Sequence, residues 1–409
     1  MQYIVKYSKV ILCAFCLAIL SFLFFYKLGN QALQSYDEAW YGSIARNILI
    51  SKNIFQLEFN HASFIDHPPI GFWLMAIPIS LFGSSELSVR LISALAGIGT
   101  VFLIFKIGLR LGGWKVGVAA SSILISSMWF MLRARSGNLD IPFVFFEVLL
   151  LYSIFLLEKY RYAFYLLSIS FALLLTTKTL VGIAMLPTIL VALWYNRKLL
   201  TTRLLVTMLA IFTILVSPWY VWNYLHDSNF LYHHFIVIGT RGETNAYSFE
   251  ALHQTLFYIQ VGIGKWYKLF FISVLMGSFL FFYKKIHRYH LILLATSFVS
   301  FAIPLLFSTQ TEVWHLLPLY PFIALCIAFV LIQATKTHVF LPIAQNLTTI
   351  VIIMISLYQF NQFSNILYNV SSESSEKQIS LAARDCSCEL YLFETFYPSL
   401  VYYSQQKVY

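Results

Sequence analysis

The chain has 409 residues, of which 59% are hydrophobic, 18% aromatic and only 11% charged. Soluble domains carry about 25% charged residues, so a soluble fold is excluded. The long unbroken apolar runs point to membrane-spanning helices, not to the alternating strands of a barrel. The net charge of +10 follows from where basic residues fall around the membrane, and gives no reason to infer nucleic acid.

Taken in chain order, the apolar runs predict eleven spans, near 10–27, 88–109, 114–132, 141–157, 162–177, 179–195, 203–222, 268–283, 290–308, 314–334 and 338–358. The region 162–195 also reads as a hairpin or a single broken span. The first run follows Lys6 and Lys9 in the manner of a signal peptide. No small-x-small cleavage site follows Leu28, so the run reads as a retained anchor. With the N-terminus in the cytoplasm, the short inner loops collect Lys6, Lys9, Lys106, Arg110, Lys115, Lys159, Arg161, Arg197, Lys198, Arg203, Lys284, Lys285, Arg288 and Lys336. Their one acid is Glu158, which fits the positive-inside rule. Segments 28–87, 223–266 and 360–409 then lie outside, giving a membrane body over 1–359 and a small extracytoplasmic tail over 360–409. No internal repeat is found.

The first outer loop, 28–87, carries two adjacent acids, Asp37 and Glu38, in a chain where acids are scarce. Such a pair at a membrane surface can serve as a base, bind a metal or bind a cationic substrate. Ser35 and Glu38 have capping-box spacing, so a helix is predicted to begin there. Tyr36, Trp40, Ile44 and Ile48 recur every four residues, a stripe that suits a helix lying flat at the interface. Asp37 falls in the first turn, where the helix dipole favours its anion. A second amphipathic helix is predicted from Asp66-His67-Pro68-Pro69 to about Phe82, with proline suited to its first turn. Two flat helices would form a platform over the membrane.

Tyr36-Asp37-Glu38-Ala39-Trp40-Tyr41-Gly42 resembles the first outer-loop motif of GT-C glycosyltransferases of the protein-mannosyltransferase and lipid A aminoarabinose transferase type. His67-Pro68-Pro69-Ile70-Gly71-Phe72-Trp73 resembles the family's segment of a basic residue, two prolines and a tryptophan. Arg133-Ala134-Arg135-Ser136-Gly137-Asn138-Leu139-Asp140-Ile141-Pro142 resembles its second acidic motif. Thr177-Lys178-Thr179-Leu180-Val181-Gly182 resembles its lysine-glycine turn, and Pro218-Trp219-Tyr220 and Leu316-Leu317-Pro318-Leu319-Tyr320-Pro321 match weaker marks. The likeness covers roughly 1–335. It implies an all-α GT-C fold and inverting transfer of a sugar from a polyprenyl-phosphate donor. The acceptor would be an envelope glycolipid, lipopolysaccharide or protein, on the outer face of the inner or plasma membrane.

The resemblance implies that Asp37 is the general base, with Asp140 and Glu38 as further catalytic acids, and that His67, Lys178 and Arg241 hold the donor phosphate. His67 departs from the lysine of the lipid A transferases. Histidine is a weaker phosphate clamp when neutral, and a divalent metal held by Asp66 and His67 is a second reading.

Each residue also has a bland reading. Asp37 and Glu38 could be first-turn and capping acids, Asp140 an N-cap, and Lys178 a snorkelling anchor. His233, His234 and His253 could be surface histidines or could join Asp66 or His67 in a metal site. Cys13, Cys16 and Cys326 read as small apolar residues. Cys386 and Cys388, if on a strand, stand at the limit for an unstrained disulfide. A transporter or flippase is the alternative function. It calls for charges mid-span and repeated halves, whereas Glu147 is the main charge within a span here. Convergence of Asp37, Asp140, Lys178 and Arg241 on one cavity would favour the enzyme.

Overall fold

The computed structural model describes residues 16, 18–178, 180–238, 249–283, 287–306, 311–335, 341–369, 374–392 and 395–409. The predicted span at 10–27 is therefore described only towards its end, where 18–25 is helical. Segment 28–87, predicted to lie outside, folds into α1 (Asp37–Ser51), a two-stranded antiparallel hairpin of β1 (Glu58–Phe59) and β2 (Ala62–Ser63), and α2 (Ile70–Phe82). The membrane body follows with α3 (Glu86–Gly112), α4 (Trp114–Ile125), α5 (Met128–Ala134), α6 (Asp140–Leu156), α7 (Tyr162–Leu175), α8 (Leu186–Tyr195) and α9 (Thr202–His226). A π-helical turn at Tyr232–Ile238 precedes α10 (Phe249–Ile263), α11 (Trp266–Phe282) and α12 (Arg288–Leu306). After a 3₁₀ turn at Val313–Leu316 come α13 (Leu319–Ala334), α14 (Leu341–Tyr368), α15 (Ser375–Cys386) and α16 (Pro398–Ser404).

Among the described residues, α3, α9, α12 and α14 from Ile343 onward are long and apolar enough to cross a membrane, and two bent pairs raise the number from 4 to 6. Helices α7, α13 and the Leu180–Tyr195 stretch occupy further predicted spans but are shorter. The predicted span 114–132 is two helices, α4 and α5, bent by 75°. The break falls where Ser126 and Ser127 turn their hydroxyls back onto the carbonyl of Ile123, at 2.9 and 3.0 Å, the kind of side-chain competition that bends a helix. Helices α10 and α11 form the other bent pair, at 106°.

One large apolar cluster runs through the membrane body, and a second fills the platform. From Trp40 onward the sequence stripe on α1 faces this second core, while Tyr36 is exposed. Ile44 and Ile48 are buried, and Trp40 packs on Phe59 and Phe64 with ring centroids 5.1 and 6.0 Å apart. Two separate surfaces explain the correction: α2 keeps Ile77, Leu81 and Phe82 exposed, so it supplies the outward apolar face while α1 is sandwiched.

The C-terminal segment is a working part of the platform. All seven residues of α16 are buried. Arg46 donates to the carbonyl of Tyr402 (2.6 Å), Leu33 N–H to the Tyr403 hydroxyl (2.7 Å), and Asn60 exchanges hydrogen bonds with Val408 at 2.9 and 3.0 Å. Helix α14 also runs ten residues beyond the predicted end at 358. Cys386 ends α15 and is disulfide-bonded to Cys388 with Cα atoms 5.3 Å apart. The intervening Ser387 has φ 55°, so a helix end, and not a strand, brings the two together.

Candidate active site

Two short loops meet beneath the platform, one entering α1 and one joining α5 to α6. Tyr36, at the first loop's end, has φ 73°, a strained value for a bulky residue, and the turn delivers Asp37 into the first turn of α1. The predicted capping box is not formed. The Ser35 hydroxyl pairs with Ser399 at 3.1 Å, and Glu38 turns inward. The reason is Arg90 on α3, whose guanidinium is buried and needs an anion. Glu38 accepts from Arg90 Nε and Nη2 at 2.7 and 2.8 Å, from Gln34 N–H at 2.8 Å and from Gly137 N–H at 2.8 Å. It thereby ties the loop carrying Asp37 to the loop carrying Asp140.

The second loop is held by Asn138. Its Oδ1 accepts from Ile141 N–H at 3.0 Å and its Nδ2 donates to Arg133 O and Ser136 O. Asn138 therefore caps α6, and Asp140 is left to point into the site. Arg133, the last basic residue of α5, contacts Asp37 Oδ2 at 2.5 Å through Nη2, and the same nitrogen bonds Asp140 Oδ2. Lys178 bonds Asp140 Oδ1 through Nζ. The four side chains carry balanced charge. Their exposure separates their roles: the Asp37 side chain is 28% exposed and that of Asp140 is 7%. No hydrogen bond reaches Asp37 Oδ1 among the described residues. Asp37 keeps one carboxylate oxygen open, whereas both oxygens of Asp140 are held by cations.

Tyr41, one turn on from Asp37, is buried, and burial followed by the Asp37 and Asp140 charges pushes its phenol well up, so it stays neutral. Its ring meets His67 edge-on at 5.9 Å, which sets His67 between the platform helices. Trp314, from the 3₁₀ turn before α13, covers the Arg133 guanidinium at 5.4 Å.

Of the predicted site residues, Asp37, Asp140 and Lys178 converge, Glu38 adjoins them but faces Arg90, and His67 stands at the edge behind Tyr41. Arg241 lies outside the described residues. Asp66 is paired with His233 Nε2 at 2.9 Å, and His234 Nδ1 bonds the carbonyl of Ile65 at 3.0 Å, so two of the three histidines stitch the second outer loop to the first. His253 stands exposed on α10. Among the described residues no group of three or more His, Cys, Asp or Glu side chains could hold a metal ion. The pair Asp66–His67 alone does not form such a site. Glu147 is buried mid-helix on α6, with neither oxygen hydrogen-bonded among the described residues, and takes no part in the cluster.

Arg133 and Tyr41 stand within motifs in the sequence that give them no role of their own, and Arg90 and Trp314 stand outside every motif. A basic residue seven positions before Asp140, in so charge-poor a chain, was a usable signal for Arg133. It would not have separated Arg133 from Arg135, whose guanidinium instead binds the carbonyls of Leu23, Phe24 and Tyr26 at 3.0, 2.9 and 2.6 Å.

Residues 66–222 match the family model described as dolichyl-phosphate-mannose-protein mannosyltransferase. An undecaprenyl phosphate-alpha-4-amino-4-deoxy-L-arabinose arabinosyl transferase of Shewanella sediminis is 32% identical over 119 residues, covering 29% of this chain and 22% of its own. An uncharacterized protein of Aquifex aeolicus is 31% identical over 159 residues, covering 38% of this chain and 32% of its own. These alignments thus span a third or less of the relatives' length. The crystal structure of ArnT from Cupriavidus metallidurans bound to undecaprenyl phosphate superposes with a TM-score of 0.78 at 15% identity, covering 97% of this chain and 85% of that one. The chain thus shares the fold of that transferase structure, and its residues 66–222 carry the match to the mannosyltransferase family model.

Proposed function

We propose that this protein moves a sugar from a polyprenyl-phosphate donor to an acceptor of the cell envelope, with inversion at the transferred carbon and with Asp37 as general base. The observation that carries the reading is the Asp37–Arg133–Asp140–Lys178 cluster, in which one carboxylate is accessible and the other neutralised. The acceptor hydroxyl gives its proton to Asp37 Oδ1 as its oxygen bonds to the anomeric carbon. The bond from that carbon to the donor phosphate oxygen breaks, and the polyprenyl phosphate leaves with the electron pair. Its growing negative charge calls for cations placed in advance. Lys178 fills that role by sharing its ammonium between Asp140 and the phosphate. His67 contributes from the platform side, and Arg241 is assigned the same role on the family resemblance.

Arg133 holds the Asp37 carboxyl aimed, so that the base is in place before substrate arrives. A transporter has no need of acids and bases gathered at one surface. The activities named for the arabinosyl transferase relative and for the matching family, which use undecaprenyl and dolichyl phosphate sugars, support a lipid-phosphate donor. Envelope glycolipid, lipopolysaccharide and protein are the acceptor classes in view. The reading keeps the N-terminus in the cytoplasm and the cluster and C-terminal segment outside, on the charge placement given above.

The test is transfer from a polyprenyl-phosphate sugar by the reconstituted full chain, with envelope glycolipids compared by mass spectrometry in cells with and without the protein. Asp37→Asn keeps the shape and removes the proton acceptor, and the expected loss in turnover is about 10²–10⁴-fold. Near wild-type turnover in a correctly folded Asp37→Asn protein would reject the assignment.

A further inference from the structure

At the elbow between α10 and α11 the chain turns by 106° around a cavity of about 530 Å³ lined by Gln260, Val261, Gly264, Lys265, Tyr267 and Lys268. The elbow is rigidly built. Gly264 has φ 60°, and a Cβ there would lie 2.8 Å from Gln359 Oε1. Gln359, reaching in from α14, accepts from Lys265 N–H at 2.7 Å and donates to Ile263 O and Ser126 O at 3.0 and 2.6 Å. Trp266, fully buried, donates to the Ser126 hydroxyl at 2.8 Å. One glutamine therefore satisfies the backbone of the turn, and the side chains of Lys265, Tyr267 and Lys268 remain to serve the cavity.

The two lysines are three positions apart, hence neighbours on one helix face, where like charges repel. Neither is ion-paired to a carboxylate among the described residues, and Lys265 rests on the Tyr358 ring at 5.0 Å. They also stand at the positive end of α11. Along α11, in register with Lys268, Phe271, Ile272, Leu275 and Phe279 form an exposed apolar stripe, with Leu275 74% exposed. A paired cation site at headgroup level, continued by an apolar track down a membrane helix, matches a phosphate ester joined to acyl chains.

We infer that the α10–α11 elbow binds the phosphate of a membrane lipid through Lys265 and Lys268, with the lipid's chains lying along Phe271, Ile272, Leu275 and Phe279. This site is separate from the Asp37 cluster, and the inference does not depend on the proposed transferase chemistry. Native mass spectrometry of the full chain, released from nanodiscs of equal phosphatidylglycerol and phosphatidylcholine, reads it directly. The wild-type protein should retain phosphatidylglycerol selectively. K265A/K268A should weaken retention about thirtyfold, at about fivefold per lysine near an anionic surface, and K265R/K268R should keep it. Equal retention of the two lipids, or unchanged phosphatidylglycerol retention in K265A/K268A, would overturn the site. Displacement of the lipid by an equal concentration of inorganic phosphate would overturn its assignment to a lipid.

Discussion

Glu38→Gln is the sharpest test of the way the two loops are joined. Glu38 and Arg90 have side chains 2% and 4% exposed, and Glu38 accepts four hydrogen bonds, two from Arg90 and two from backbone N–H groups. Glutamine preserves the volume but places an NH₂ group against donors and leaves Arg90 as a buried charge without its counterion. Breaking a buried pair in this way costs about 3–5 kcal/mol. Arg90 also donates to the carbonyls of Leu28, Gln31 and Ala32, so Arg90→Gln should cost at least as much and the double variant should recover only part of the loss. Denaturant unfolding of the full chain in detergent, run as a double-mutant cycle, should give a coupling of about 2–3 kcal/mol. Transferase turnover should fall along with stability, because Asp37 loses its alignment with Asp140. A Glu38→Gln protein of wild-type stability that is nonetheless inactive would refute the reasoning and return Glu38 to a chemical role.

Four further outcomes follow from the packing. A Cβ on Gly262 would lie 1.6 Å from the Tyr320 hydroxyl, so Gly262→Ala should destabilise the protein by about 1–3 kcal/mol. Tyr320→Phe should be neutral or stabilising, since that hydroxyl is buried without a hydrogen-bond partner among the described residues, and loss of stability in it would contradict this packing. Ending the chain at Glu389 removes α16 and uncovers the platform core, so protease cleavage within 52–69 should quicken sharply, and an unchanged digestion rate would show that the platform stands without it. Burial lowers the pKa of His234, with a smaller opposing effect from its bond to Ile65 O, so protonation disfavours the folded state. Stability should therefore fall as pH drops below about 6.5, and His234→Ala should flatten that slope of melting temperature against pH. An equal slope in both proteins would remove His234 as its source.

Membrane residence and the extent of most helices were legible in the sequence, because apolar run length is a local property that a bilayer reads directly. Asp37, Asp140 and Lys178 could be named because each sits in a short motif at the end of a helix. What each of them touches could not be read, since electrostatic partners far apart in the chain carry no local periodicity. Glu38 has good capping-box spacing, yet Arg90, fifty-two residues away, outcompetes the local bond because a buried guanidinium demands an anion. The α1 stripe repeats every four residues whether it meets lipid or protein, and only the placement of α2 and α16 decided that it meets protein. The final segment read only as a small extracytoplasmic tail, for its burial depends wholly on a platform more than three hundred residues earlier. The bridging role of Arg133 likewise needed both acidic loops in place, because only the tertiary structure brings Asp37 to the same guanidinium as Asp140.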